Sequence, residues 1–216
     1  MKNYKAFIFD FDLTLADSTK GIFICYKKCL EHFGYSVPSN DEIFSTIGHT
    51  IEDSLGLLIG EKPENVEEMR KYYVSLADEY MVKNTEFYPN VLAVLQVLKQ
   101  AGKKVGIVST KFRYRIMQSF EIEGSFPLDE IVGGEDVRTH KPEPEGLLIM
   151  LNRLGASKNE TLYVGDSYID AETAQAAGVD FAGVLTGSTS KDDFLKYPHV
   201  MVKDSILDII TSLFDN

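Results

Sequence analysis

Basic residues are scarce in this sequence. There are 22 Lys and Arg against 33 Asp and Glu, which gives a formal net charge of −11. Because a phosphate backbone requires a basic surface, this balance argues against nucleic acid as a partner. It leaves room for a small anionic substrate, since the local charge of a pocket can differ from that of the whole chain.

Long apolar runs and cysteines are also lacking. No run approaches the roughly 20 apolar residues of a membrane span, so we predict no contact with a membrane. The first residues, MKNYKAFIFD, lack an apolar segment followed by a cleavage site, and we expect no signal peptide. The two cysteines, Cys25 and Cys29, are interpreted as reduced, half-buried thiols, since a metal pair would need ligands beyond the weak candidate His32. We therefore predict a cytoplasmic protein.

Short apolar runs rich in β-branched residues alternate with helical patterns. This alternation predicts βαβ units and a parallel sheet that is buried on both faces by helices, an α/β fold with a Rossmann-like core. The predicted strands lie at residues 4–9, 103–109, 130–134, 161–166, 181–187 and 199–202, and the predicted helices at 90–102, 144–155 and 171–178.

One region interrupts the alternation. Residues 16–87 contain no good strand and read as four helices, the last of which has Pro63 and acidic residues near its start. We therefore predict two domains, a Rossmann-like core at residues 1–15 and 88–216 and an inserted all-helical domain at 16–87.

Four segments at the predicted carboxyl ends of the strands carry polar residues. Open parallel sheets bind their ligands at this edge. The first strand is followed by Asp10 and Asp12, two like charges one residue apart that need an opposite charge nearby. The others supply Ser109 with Thr110, Lys141, and Asp166 with Asp170.

The chemistry of this set can be predicted from its groups. Clustered carboxylates without histidine or thiolate suit a hard, oxygen-preferring cation, for which Mg²⁺ is the default. A lysine and a hydroxyl directed at the same point would bind phosphoryl oxygens. Because alternate side chains of a strand share one side, Asp10 and Asp12 point the same way, so one could attack phosphorus while the other transfers protons.

Four segments together resemble the haloacid dehalogenase-like hydrolase superfamily, and within it the phosphoglycolate phosphatase-like branch. The segments are DFDLT (10–14), GIVST (106–110), KPEP (141–144) and GDSYID (165–170), and the helical insert resembles the family's cap domain. Coverage is essentially the whole chain. The combination is highly specific, whereas each segment alone could be an ordinary turn.

The resemblance implies a role for each matching residue. Asp10 would be the nucleophile that forms an aspartyl-phosphate, Asp12 the general acid and base, and Lys141 the group that neutralises Asp10 and the phosphoryl charge. Asp10, Asp166 and the backbone carbonyl of Asp12 would bind Mg²⁺. Asp170 would either bind the metal or orient Lys141, and the resemblance leaves both open.

Substrate binding is assigned to a second group of residues, namely Thr14, Ser109, Thr110 and His49. Ser109 and the Thr110 backbone would bind a phosphoryl oxygen. His49 lies in the predicted cap, and two interpretations of it are open: a substrate contact or a solvated loop residue. Lys111 is either a second contact to an acidic substrate or a surface residue.

Position 13 departs from the branch, which usually has glycine there, whereas this chain has Leu13. Since leucine tolerates unusual backbone angles less well than glycine, we expect a slightly altered turn.

The predicted function is hydrolysis of a small phosphorylated metabolite by a monomer or weak homodimer. The alternatives are a pyrophosphatase, a β-phosphoglucomutase-like mutase, and a regulator that binds phosphorylated ligands without turnover. Thr14 disfavours the mutase, because such mutases often have valine at this position.

Overall fold

The computed structural model describes residues 2–214 and confirms the predicted α/β fold. Six parallel strands form the main sheet in the order β5-β4-β1-β6-β7-β8. The strands are β1 (Ala6–Phe9), β4 (Lys104–Val108), β5 (Glu130–Val132), β6 (Thr161–Gly165), β7 (Asp180–Val184) and β8 (Met201–Lys203). Two short strands, β2 (Ala16–Asp17) and β3 (Glu86–Phe87), form a separate sheet.

The central strand β1 has the sequence AFIF and is buried along its whole length. Its alternate side chains enter two separate apolar clusters. Phe7 and Phe9 belong to one cluster, and Ala6 and Ile8 to the other. Burial on both faces explains why this strand reads as a continuous apolar run rather than as an alternating one.

Helices follow most of these strands and supply the other half of each cluster. Leu95 and Leu98 pack in the Phe7 cluster, and Leu147 and Met150 in the Ile8 cluster. The helices of this part are α5 (Val91–Gln100), α6 (Arg113–Ile122), α7 (Glu145–Leu154), α8 (Tyr168–Ala177), α9 (Lys191–Phe194) and α10 (Ile206–Phe214).

The chain divides into two compact units. The first takes residues up to Ala16 and from Phe87 onwards, and the second is Asp17–Glu86. The second contains only α1 (Thr19–His32), α2 (Asn40–Phe44), α3 (Ile51–Ile59), α4 (Val66–Tyr80) and a short 3₁₀ turn (Val82–Asn84), apart from the ends of β2 and β3. None of the helices in residues 2–214 is long and apolar enough to span a membrane.

The two cysteines lie on the buried side of α1, and neither is in a disulfide. Both are completely buried, not half-buried as the sequence suggested. Burial raises the pKa of Cys29 to about 11, and its sulfur lies 3.4 Å from the carbonyl oxygen of Met69 in α4. The Cys29 thiol therefore packs α1 against α4.

Candidate active site

The carboxyl ends of three neighbouring strands carry the predicted site residues. Phe9, the last residue of β1, pairs in register with Ile107 of β4 and Val164 of β6. Asp10, Ser109 and Asp166 are the residues that directly follow these three strands. The parallel arrangement therefore brings together side chains that lie far apart in the sequence.

Asp10 lies at the centre of this group and is only 4% exposed. Its Oδ1 atom lies 3.0 Å from Nζ of Lys141, but no hydrogen bond with suitable angles reaches that oxygen from the described residues. Burial raises the pKa of Asp10 to about 6, and Lys141 opposes the rise only in part. Asp10 thus has room for a further positive partner.

Lys141 is held by two other residues as well. Its ammonium donates to Asp170 Oδ1 at 2.7 Å and to the hydroxyl of Tyr163 at 3.2 Å, and the same hydroxyl donates to Asp170 Oδ1 at 2.8 Å. Burial alone would lower the pKa of Lys141, but the carboxylates of Asp10 and Asp170 outweigh it and raise the pKa. The side chain is therefore a fixed, buried ammonium.

Both oxygens of Asp170 are engaged. Oδ1 accepts from Lys141 and Tyr163, while Oδ2 accepts from the backbone N–H of Ser167 at 3.1 Å and from its hydroxyl at 2.7 Å. Ser167 and Asp170 form a capping box at the start of α8, which fixes the aspartate by a local device.

Asp12 points to a different lysine. Its Oδ1 accepts from Nζ of Lys111 at 2.6 Å, and the Lys111 side chain is only 5% exposed. The two aspartates of the first loop are therefore each paired with their own ammonium group, Lys141 for Asp10 and Lys111 for Asp12.

Asp166 is fixed by two loops. Thr14 donates from its hydroxyl to Asp166 Oδ1 at 2.7 Å, so this hydroxyl is directed at a carboxylate. Gly187 lies so close that a Cβ there would overlap Asp166 Oδ2. Burial raises the pKa of Asp166 well above its usual value, with the carboxylates of Asp170 and Asp10 adding to the rise.

The turn at Leu13 adopts a left-handed conformation with φ of 59°. Glycine reaches this region easily and leucine does not, so Leu13 occupies backbone angles that glycine would adopt with less strain. Two hydrogen bonds hold it there: Leu13 N–H donates to the Ala16 carbonyl at 2.8 Å, and the Thr186 hydroxyl donates to the Leu13 carbonyl.

The remaining predicted residues are placed as follows. Ser109 is buried and its Oγ accepts from the Lys111 backbone N–H at 3.3 Å, while Thr110 beside it is half-buried. His49 belongs to the second unit, where its backbone N–H donates to the Thr46 carbonyl at 3.2 Å and burial lowers its pKa.

The acidic cluster is compact. One oxygen from each of Asp10, Asp166 and Asp170 lies within 4.8 Å of the other two, and all three side chains are buried. The cluster offers only carboxylate oxygens, the donor type that Mg²⁺ prefers. Asp12 is not part of it through its side chain.

Comparison with known proteins identifies the family. The haloacid dehalogenase-like hydrolase family model matches residues 7–184. The chain belongs to the haloacid dehalogenase-like hydrolases. It is 32% identical to pyrophosphatase PpaX of Bacillus pumilus over 91% of this chain and 90% of that one. It is also 32% identical to a phosphoglycolate phosphatase of Aquifex aeolicus, over 92% and 95%.

Solved structures of the haloacid dehalogenase-like family agree. A hydrolase described by that family name, from Bacteroides fragilis, superposes with a TM-score of 0.93 and 43% identity, covering 96% of this chain and 100% of that one. The predicted family, its phosphoglycolate phosphatase-like branch and the assignment as a phosphatase-type enzyme are confirmed.

Three residues that contact the site, namely Tyr163, Thr186 and Gly187, are not predicted from the sequence. Tyr163 lies inside an apolar strand and reads as core. Thr186 and Gly187 follow β7, and the same strand-end rule that found Asp166 could have found them. For Lys111 the sequence leaves a substrate contact and a surface position open; the surface position is wrong, because the side chain is buried.

Proposed function

We propose that this chain is a Mg²⁺-dependent phosphatase that hydrolyses a small phosphorylated metabolite through an aspartyl-phosphate on Asp10. The observation that supports it most is the buried position of Asp10, 3.0 Å from the Lys141 ammonium and within 4.8 Å of the Asp166 carboxylate. A nucleophile, a phosphate-neutralising cation and a metal ligand are thereby gathered around one point.

The donor set fits Mg²⁺. Two aspartates of the cluster have pKa values raised by burial, and Asp10 Oδ1 has no hydrogen bond from the described residues, as expected where positive charge is missing. Asp10, Asp166 and the backbone carbonyl of Asp12 would hold the ion. When bound, it would neutralise carboxylate and phosphoryl charge.

Asp170 orients Lys141 in this proposal. All of its oxygens accept from Lys141, Tyr163 or Ser167, which leaves it poorly suited to serve as a metal ligand. Its buried carboxylate helps to keep the lysine charged and directed at Asp10.

The reaction proceeds in two displacements. First, an oxygen of Asp10 bonds to phosphorus, the bond from phosphorus to the leaving oxygen breaks, and Asp12 gives its proton to that oxygen. Next, water bonds to phosphorus, the bond to Asp10 breaks, and the water proton passes to Asp12. The Lys141 ammonium balances charge on the phosphoryl group throughout, and Ser109 with the Thr110 backbone binds its oxygens.

Pyrophosphate is the second candidate substrate, beside phosphoglycolate and other small phosphomonoesters. One relative of each name, the pyrophosphatase PpaX of Bacillus pumilus and the phosphoglycolate phosphatase of Aquifex aeolicus, is 32% identical to this chain. The same residues would act in both reactions, with phosphate as the leaving group for pyrophosphate. His49 and the rest of the helical unit, which we propose to be the cap domain, would select between them.

Release of p-nitrophenol from p-nitrophenyl phosphate tests the proposal. We expect activity with Mg²⁺, loss of activity with EDTA, and no activity in Asp10→Asn. Asp193→Asn is a matched control, because Asp193 is also an aspartate paired with a lysine, at 2.6 Å from Lys196, but is exposed and outside the site. Equal rates for the wild type and Asp10→Asn would refute the proposal.

A panel that contains phosphoglycolate, pyrophosphate and glucose 1-phosphate then ranks the candidate substrates by kcat/KM. Hydrolysis of a phosphomonoester or of pyrophosphate fits the proposal. Conversion of glucose 1-phosphate into its isomer without release of phosphate would instead indicate a mutase.

A further inference from the structure

Lys111 is a buried lysine for which the proposed reaction has so far no role. It lies two residues after Ser109, in the loop that follows β4, and its side chain is 5% exposed. Removing an ammonium group from water is costly unless a charged partner is close, and Asp12 supplies that partner at 2.6 Å. The burial and the pairing together indicate a fixed group rather than a mobile surface lysine.

Further contacts fix both ends of this side chain. The ammonium lies 5.5 Å from the ring centre of the buried Phe11, within the range of a cation–π interaction. At the other end, Lys111 N–H donates to Ser109 Oγ at 3.3 Å, and Lys111 C=O accepts from Gly134 N–H at 3.1 Å. The loop after β5 therefore holds the backbone from which the lysine extends.

The pairing separates the two aspartates of the first loop. Asp10 faces Lys141 at 3.0 Å, while Asp12 faces Lys111 at 2.6 Å. The two ammonium groups come from different loops, so each carboxylate is directed by its own partner. Such a division suits a site in which one aspartate must attack and the other must transfer protons.

We propose that Lys111 is a positioning residue that holds the carboxylate of Asp12 for its two proton transfers, an inference that rests on the proposed function. An ion pair to one oxygen limits rotation of the Asp12 side chain. The group then meets the leaving oxygen, and later the water, in a narrow set of orientations. Loss of such positioning costs rate even where the reacting group itself is retained.

The second displacement depends most on this positioning. With p-nitrophenyl phosphate, the leaving group departs readily without a proton, so the first displacement needs little help from Asp12. Water is a poor nucleophile and needs the base while its oxygen bonds to phosphorus and the bond to Asp10 breaks. A displaced Asp12 should therefore slow the second displacement more than the first, and phosphorylated enzyme should accumulate.

The test compares wild type, Lys111→Met and Lys111→Arg with p-nitrophenyl phosphate as substrate. We expect Lys111→Met to lower kcat by about 10- to 100-fold and to lower KM in parallel, with kcat/KM changed by less than about threefold, because kcat/KM reports only the steps up to the first displacement. Acid-quenched samples analysed by intact mass should contain a larger phosphorylated fraction than wild type. Lys111→Arg, which keeps the charge, should recover part of kcat. Lys196→Met is the control, since it removes the lysine from the exposed pair with Asp193.

Three results would overturn the inference. A raised KM with unchanged kcat would make Lys111 a substrate contact. An unchanged kcat, or a lowered kcat without phosphorylated enzyme, would leave it only a structural role. If Lys111→Met does not fold, the comparison is made with Lys111→Gln and Lys111→Arg. Failure of the proposed function is distinguishable, because the wild type itself would then be inactive.

Discussion

The hydroxyl of Thr14 donates a hydrogen bond of 2.7 Å to the carboxylate of Asp166, a residue 152 positions later in the chain. Both side chains are buried. The bond ties the loop after β1 to the loop after β6, and it leaves Asp166 Oδ1 oriented within the acidic cluster. Replacing Thr14 by a residue of similar size therefore tests whether the orientation of Asp166 affects Mg²⁺ binding.

Thr14→Val should weaken the response to Mg²⁺. Valine has nearly the same shape as threonine but lacks the donor, so Asp166 loses a hydrogen bond to its charged form, worth about 1.5–3 kcal/mol in general. We expect the Mg²⁺ concentration that gives half-maximal phosphatase activity to rise severalfold. Thr14→Ser keeps the hydroxyl and should resemble wild type. An unchanged Mg²⁺ dependence in Thr14→Val would show that the bond does not support metal binding.

Gly187→Ala should lower activity by displacing the other oxygen of Asp166, Oδ2. A Cβ at this position would overlap Asp166 Oδ2, so either the carboxylate or the loop after β7 must move. We expect activity to fall by about tenfold or more, measured as kcat/KM at saturating Mg²⁺. Gly56→Ala is the control, because a Cβ there meets only atoms at 3.9 Å or beyond. Wild-type kcat/KM in Gly187→Ala would contradict this close approach.

Tyr163→Phe should lower activity without removing any residue assigned to the reaction. The change deletes the hydroxyl that donates to Asp170 and lies 3.2 Å from Lys141, so the buried ammonium loses one of its contacts. We expect kcat to fall severalfold and the free energy of unfolding to fall by about 1–2 kcal/mol.

Tyr4→Phe is the matched control for that prediction. Its hydroxyl also donates to an aspartate, Asp180 at 2.7 Å, but Tyr4 precedes β1 and lies at the other end of the strand from Asp10. Stability should fall in this variant while kcat stays at the wild-type value. A similar loss of kcat in both variants would show that the effect is one of stability alone.

Asp129 should make the free energy of unfolding depend on pH. Burial tends to raise its pKa, but the Lys99 ammonium and the Val105 N–H, at 2.8 Å from Asp129 Oδ2, outweigh burial and hold the pKa below the usual value. Since the folded pKa is depressed, the stabilisation is complete above the unfolded pKa of about 3.9 and disappears as pH falls through the folded pKa.

Urea unfolding of wild type and Asp129→Asn measures this effect. We expect wild type to be more stable by about 1 kcal/mol at pH 7, with the difference shrinking as pH falls below about 4. A difference that stays the same at both pH values would mean that the carboxylate charge contributes nothing.

Much of the fold could be predicted because its signals are local. The strand AFIF and the apolar stripes of α5 and α7 bury residues on a regular period, which the sequence shows directly. Helix α6 has a weaker signal, since only Ile116 and Phe120 of its apolar residues are buried. The two-residue strands β2 and β3 are too short to leave a pattern.

Some residues of the candidate site could likewise be predicted from the sequence, and others could not. Asp10, Asp12, Lys141 and Asp166 could be singled out because each follows a strand or lies in a recognisable segment. The partners that orient them could not, because pairing between Asp12 and Lys111, or between Thr14 and Asp166, depends on how distant loops meet. Position 13 stands out in the sequence because the family usually has glycine there, but the sequence does not reveal that Leu13 adopts the left-handed angle.

Locating the phosphoryl group on the enzyme tests the proposed aspartyl-phosphate directly. Wild-type protein turning over p-nitrophenyl phosphate with Mg²⁺ is quenched in acid, digested and analysed by mass spectrometry. We expect a phosphorylated peptide that contains Asp10 and that is absent from Asp10→Asn. Turnover that leaves the Asp10 peptide unmodified at every time point, including in Lys111→Met, would contradict the proposed aspartyl-phosphate.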